Sequence, residues 1–154
     1  MALRSLWVIV EGEFITRIIT MDLTGGCACA AIRYQISVAG GEVADYCHCR
    51  QCQLVSGAPV SAWVQVKPER FRLTRGVAKA YQSSADATRW FCETCGSQLY
   101  MTDAAAKSVG VTLATLDLPY IMPPTVHGWY SERIDWFTLA DDLPRYLHSP
   151  PYDE

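Results

Sequence analysis

Cys92-Glu93-Thr94-Cys95-Gly96 sets two thiols three residues apart around a tight turn. The glycine behind the second thiol permits the positive φ that lets backbone N–H groups face the sulfurs. Such a turn supplies half of a tetrahedral metal site. The missing half lies upstream in Gly25-Gly26-Cys27-Ala28-Cys29. In extended chain, residues i and i+2 point to one side, so Cys27 and Cys29 offer two sulfurs to one ion, and the glycines relieve the bend before them. Two pairs so far apart in sequence, meeting at one ion, close a long loop and leave no open coordination position, so Cys27, Cys29, Cys92 and Cys95 read as a structural zinc site.

The remaining cysteines form a third group, Cys47-His48-Cys49-Arg50-Gln51-Cys52, and together the three groups exhaust the seven cysteines of the chain. Three thiolates within six residues, with an exchangeable fourth position, is the arrangement of a catalytic zinc. His48 points to the opposite side of the extended segment from its neighbours and reads as a supporting residue. The competing reading closes Cys47, Cys49 and Cys52 into a second structural site with His48, His127 or a water. A redox role for Cys92 and Cys95 is disfavoured because no βαβ pattern surrounds them. An odd number of cysteines also resists a disulfide framework.

The rest of the composition is that of one ordinary domain. The chain has 154 residues, 50% hydrophobic and 19% charged, with formal charge −3. Two Zn²⁺ on seven thiolates would take that charge to about −6. Such a surface repels a phosphate backbone, and no Lys/Arg run opposes it, so no nucleic acid partner is expected. The apolar residues are scattered, so no membrane span is expected, and the short apolar run 6–10 is followed at once by Glu11 and Glu13. That argues against a secretion signal and for the cytoplasm.

Residues 1–20 read as an N-terminal extension, an artefact of start-site choice or an added strand at a sheet edge, because Met21 stands ready as an alternative initiator. The domain proper is 21–150. Within it, β-branched and aromatic runs at 31–38, 43–46, 60–66, 78–82, 88–91, 98–101 and 109–113 alternate with Gly, Pro, Ser and Asp. This predicts a mostly β, antiparallel domain with one or two short helices, at 50–55 and at 139–147.

The segments 25–34, 47–52 and 91–97, in this order, closely resemble the glutathione-dependent formaldehyde-activating enzyme family, which includes centromere protein V. Ser56-Gly57-Ala58, Trp63, His127, Trp136-Phe137 and 141–144 extend the likeness. The resemblance implies a β-tent fold with two zinc ions per chain, divided between the sites as above. It also implies a carbon–sulfur lyase acting on the adduct of a thiol such as glutathione with an aldehyde, S-hydroxymethylglutathione for formaldehyde. Ala28 and Ala30 depart from the His and Gly frequent in the family, and Gln53 stands where a basic residue is frequent, which removes one partner for a substrate carboxylate.

On that reading a zinc at Cys47, Cys49 and Cys52 orients a thiolate toward an aldehyde carbon. His127 or Tyr100 is the candidate acid for the developing alkoxide, and Arg50, Arg89 or Arg133 the candidate partner of a substrate carboxylate. Trp129 with Tyr130 is the candidate pocket wall, although core packing is the blander account of the aromatics. The alternative function is a non-catalytic, zinc-stabilised binding or thiol-sensing module. Nothing in the sequence fixes an oligomeric state.

Overall fold

The computed structural model describes residues 8–10, 13–15, 20–105 and 107–152, with side chains from residue 20 onward. Its strands are β1 (Val8–Val10), β2 (Glu13–Ile15), β3 (Met21–Gly26), β4 (Arg33–Val38), β5 (Ala44–Cys47) and β6 (Ser61–Val66). They continue as β7 (Phe71–Arg75), β8 (Lys79–Gln82), β9 (Ala87–Phe91), β10 (Gln98–Asp103), β11 (Val109–Thr112) and β12 (Val126–Gly128). A single α-helix among the described residues, α1 (Arg50–Ser56), links β5 to β6, and the other helical pieces are short 3₁₀ turns. The chain is thus mostly β. None of the helices described is long and apolar enough to cross a membrane.

Two sheets carry the domain: a seven-stranded one in the order β12-β5-β6-β11-β10-β9-β8, and a three-stranded one in the order β3-β4-β7. Strands β1 and β2 pair with each other in a separate two-stranded sheet rather than with a sheet edge. The other residues of the predicted extension, 1–7, 11–12 and 16–19, lie outside the described residues.

Strand register makes the seven-stranded sheet two-faced, because side chains alternate with a period of two. One cross-strand row reads Ala44, Val64, Val111, Tyr100, Trp90. It faces Leu23, Tyr34 and Ile36 of the small sheet and forms the main core. Phe71 of the small sheet stacks on Tyr34 at 5.7 Å and meets Tyr100 at 4.5 Å, bridging the layers. The fully buried members, such as Ile36, Val64 and Val111, contribute about 1.5–3 kcal/mol each. The neighbouring row, one residue along each strand, reads Gln65, Gly110, Met101, Arg89 and faces away from this core.

Most predicted runs match observed strands to within a few residues, but three strands and one helix differ. Strand β3 ends in two glycines that sequence propensity scores against a strand. Gly25 is required there by close approach: a Cβ would collide with the Tyr34 ring and hydroxyl and lie 2.5 Å from the Thr115 carbonyl. Strand β7 carries three polar residues in five, and β12 is only three residues long and pairs parallel to β5. The helix predicted at 139–147 is absent. Pro144 offers its carbonyl to His127 N at 2.8 Å and Tyr146 N donates to the His127 carbonyl at 2.8 Å, so the segment runs extended along β12. The strand partner takes the backbone groups a helix would use.

Candidate metal sites and their cleft

The seven cysteines gather into two clusters, Cys27/Cys29/Cys92/Cys95 and Cys47/Cys49/Cys52, with the sulfurs of each within 4.8 Å of one another. Zinc–thiolate bonds near 2.3 Å in a tetrahedron put sulfurs about 3.8 Å apart. Cys27 and Cys29 stand at 3.5 Å and Cys29 and Cys92 at 3.8 Å, so the four-sulfur cluster has the size of such a site.

That cluster joins two hairpins. Cys27 and Cys29 lie in the turn between β3 and β4, and Cys92 and Cys95 in the turn between β9 and β10, one hairpin from each sheet. The first turn is closed by Cys27 N to the Ile32 carbonyl at 3.1 Å, with Ile32 N donating back to the Cys27 sulfur at 3.2 Å. The second is closed by Gly96 N to the Cys92 carbonyl at 2.8 Å, with Gly96 at φ +75°. Ser97 ties the two together: its hydroxyl accepts from Ala28 N at 3.0 Å and lies 3.3 Å from the Cys95 sulfur. The Ser97 hydroxyl, and then its N–H, hold the Cys95 thiol down to about 5.

Ala30 adopts φ +59°, the left-handed region where a Cβ is unwelcome. Ala30→Gly is therefore expected to raise stability by about 0.5–1 kcal/mol, read as a higher thermal midpoint at fixed zinc. An unchanged or lower midpoint would show that the turn relaxes around alanine.

The three-sulfur cluster sits where β5 passes into α1. Cys47 ends the strand, and Cys49 caps the helix, its sulfur accepting from Cys52 N at 3.3 Å. Hydrogen bonds from Cys47 and then Cys52 hold Cys49 down to about 3, and the hydrogen bond to Cys49 pushes Cys47 up. The three sulfurs lie close enough together to offer one ligand set to a cation.

His48 is buried and turns away from the sulfurs. Its N–H donates to the Gly128 carbonyl at 3.0 Å, and its Nε2 lies 2.8 Å from His127 Nδ1. His127 Nε2 is 3.0 Å from Asp141 Oδ1, whose carboxylate can only accept, so His127 Nδ1 accepts from His48 Nε2. Burial, and then His127, push His48 down to about 4, leaving it neutral at pH 7. This chain anchors the loop holding Cys47 and Cys49 to β12.

The three-sulfur cluster opens into a cleft of about 440 Å³ on the outer face of the large sheet. Its lining includes Trp63, Met101, Trp129, Arg89 and Asp45, and the Cys27/Cys29/Cys92/Cys95 cluster is not part of it. Arg89 is 4% exposed; its Nη2 lies 3.4 Å from the Cys52 sulfur, and its guanidinium lies 5.7 Å from the Trp63 ring centroid. Its Nε and Nη1 have no protein partner. Asp45 is fully buried, and burial pushes its carboxyl up to about 7 against the lowering effect of the Tyr152 hydroxyl beside it.

Of the residues singled out in the sequence, Trp129 and Arg89 line this cleft, while His127, Tyr100 and Arg50 do not. His127 has both ring nitrogens engaged, Tyr100 faces the main core, and Arg50 Nη1 donates to Gln53 Oε1 at 3.2 Å. Arg133 lies 5.1 Å over the Tyr130 ring and pairs with Asp135. Gln53 is buried, donating to the His48 and Glu132 carbonyls at 2.7 and 3.0 Å. A neutral side chain there serves the backbone, tying the cysteine loop to Glu132. Asp45 carries no sequence signal beyond its place two residues before Cys47.

Trp129 is strained as well as cleft-lining, with φ +55°. Trp129→Gly relieves the backbone while deleting the ring, so stability is expected to stay within about 1 kcal/mol while thiol affinity falls about tenfold. Titration calorimetry beside a thermal melt reads both. Unchanged affinity in a folded variant would remove the ring from the binding surface.

A family model described as glutathione-dependent formaldehyde-activating enzyme matches residues 22–132. A protein of Schizosaccharomyces pombe (strain 972 / ATCC 24843) named an uncharacterized lyase is 30% identical over 128 residues, covering 80% of this chain and 82% of that protein. A crystal structure of a Rhodobacter sphaeroides protein superposes with a TM-score of 0.53 at 25% identity, covering 61% of this chain and 87% of that one.

Proposed function

This chain belongs to the glutathione-dependent formaldehyde-activating enzyme family, and on that premise we propose that it is a zinc-dependent carbon–sulfur lyase acting on thiol–aldehyde adducts of the S-hydroxymethylglutathione type. The carrying observation is the asymmetry between the clusters: the three-sulfur cluster walls an open cleft, and the four-sulfur cluster does not. Cys27, Cys29, Cys92 and Cys95 hold the structural zinc, and Cys47, Cys49 and Cys52 the one with an exchangeable position. Bound there, zinc supplies the positive charge that keeps a thiol ionised near neutral pH and polarises a carbonyl oxygen.

The chain's own residues do the rest. Trp63, Met101 and Trp129 give the cleft an apolar wall that receives the adduct and excludes water. Arg89 sets a fixed positive charge beside Cys52, offsetting the negative charge that accumulates when a further thiolate joins three cysteines. Asp45, a carboxyl of the cleft lining beside Tyr152, takes the hydroxyl proton of the adduct as the C–S bond breaks, and the electron pair of that bond leaves with sulfur. Formaldehyde and the thiolate are the products, and the reverse sequence joins them.

Exchange NMR on glutathione and formaldehyde tests this. The zinc-loaded protein is expected to speed interconversion of free and adduct methylene signals above the spontaneous rate, and removal of zinc by a chelator to abolish the gain. Thiol binding without acceleration would replace the lyase with a thiol-sensing module.

A further inference from the structure

Arg89 meets the cysteine cluster through one nitrogen and leaves the others free. Its Nη2 lies 3.4 Å from the Cys52 sulfur, whereas Nε and Nη1, buried with the rest of a side chain that is 4% exposed, have no partner in the protein. The Trp63 indole Nε1 is in the same condition, in a residue 3% exposed whose ring centroid lies 5.7 Å from the Arg89 guanidinium. Both side chains line the cleft. A buried donor without a partner forfeits its hydrogen bonds to water and is rare for that reason. Such donors on two adjacent cleft residues mark the place of an acceptor that comes from outside the chain.

The charge of the lining makes that acceptor an anion. Arg89 is the one cation among the residues lining the cleft, and it stands in no ion pair among the described residues. The carboxyls of the lining are placed otherwise: Asp45 lies beside the Tyr152 hydroxyl, and Glu132 Oε2 accepts from Arg50 N at 2.6 Å. A guanidinium out of water is best matched by a planar oxyanion.

The position of the anion on the substrate follows from where Arg89 sits. Its guanidinium touches a sulfur of the cluster, so a group held by it lies next to the carbon that bonds to the substrate sulfur. Each carboxylate of glutathione is separated from its sulfur by an amide bond, and formaldehyde has no substituent to offer. The place that remains is the aldehyde carbon itself. Resting on the lyase reading above, we propose that the aldehyde partner carries a carboxylate on its carbonyl carbon, an oxo acid of the glyoxylate type, and that Arg89 and Trp63 are the residues that select it.

The bond changes are those of the parent reaction. As the adduct forms, the thiolate sulfur makes the C–S bond, the carbonyl π pair moves to oxygen, and the Asp45 carboxyl gives that oxygen its proton. Cleavage runs the same changes in reverse, and the carboxylate stays bound and unaltered in both directions. A site built to hydrogen-bond a substrate group discriminates strongly against the analogue that lacks it.

The test follows adduct formation between glutathione and three aldehydes, namely glyoxylate, its uncharged methyl ester and formaldehyde, each expressed as acceleration over its own spontaneous rate. Zinc-loaded wild type, Arg89→Met and Trp63→Phe are compared with the thiol in excess, so that any loss of thiol affinity cancels in the acid-to-ester ratio. Wild type is expected to accelerate the acid about tenfold more than the ester, with the ratio falling to threefold or less in Arg89→Met. Trp63→Phe keeps the ring and deletes the donor, and is expected to lower the ratio about threefold even if Arg89→Met were to lose its fold. Equal acceleration of acid and ester in wild type, or an undiminished ratio in the folded variants, overturns the proposal. The two readings fail separately: if formaldehyde is accelerated while acid and ester behave alike, only the oxo-acid reading falls. If none of the three aldehydes is accelerated, the lyase reading falls and the oxo-acid reading with it.

Discussion

Cys27→Ser is expected to unfold the protein. Cys27 is 5% exposed, and its sulfur belongs to the cluster joining the β3–β4 turn of the small sheet to the β9–β10 turn of the large one. Those turns are 63 residues apart between Cys29 and Cys92, so an ion between them closes a long loop while it fastens one layer to the other. Structural zinc in small domains contributes about 10–16 kcal/mol of apparent binding free energy, against a total stability of about 5–15 kcal/mol for a domain. Losing one of four ligands is enough to bring the remainder near zero. Far-UV circular dichroism and a thermal melt read the result. A cooperative transition within a few degrees of wild type would mean that the layers hold together through Tyr34, Phe71 and Tyr100 alone.

Arg89→Met is expected to leave the fold standing and weaken thiol binding by about a hundredfold. Three thiolates around a divalent ion carry a net charge of −1, and Arg89, 3.4 Å from the Cys52 sulfur, brings the locality to zero. A further thiolate then enters a neutral site. Without the guanidinium it would enter an anionic one, and in a buried setting a lost charge partner is worth about 3 kcal/mol. Methionine fills the same slot against Trp63 without leaving a buried polar group behind, and Arg89→Lys is expected to recover part of the loss. Calorimetric affinity for glutathione, measured beside zinc content, separates this from metal loss. A change below about threefold with zinc retained would remove Arg89 from the electrostatic account.

Cysteine spacing carried the site because ligand geometry is local. A pair at i and i+3 around a glycine, or at i and i+2 in extended chain, fixes which sulfurs converge before any tertiary contact forms. The strands were legible for the same reason, wherever alternation and β-branched residues coincided. The failures lie where a distant partner decides. Gly25 in β3 is explained by the Tyr34 ring and the Thr115 carbonyl lying against it, and the 139–147 segment stays extended because β12 takes its hydrogen bonds. Choosing cleft residues required register as well. Tyr100 and Met101 are neighbours in sequence, yet one faces the core and the other the cleft. Likewise the sequence offers Arg50, Arg89 and Arg133 on equal terms, and the pairing of β9 with β10 places Arg89 beside Met101 on the cleft face.

The division of labour between the two clusters is tested most directly by counting metal. Elemental analysis of purified wild type is expected to give two zinc per chain, and of Cys52→Ser about one, with circular dichroism and the thermal transition retained. One zinc in the wild type, or loss of both together with the fold in Cys52→Ser, would contradict a separable open site.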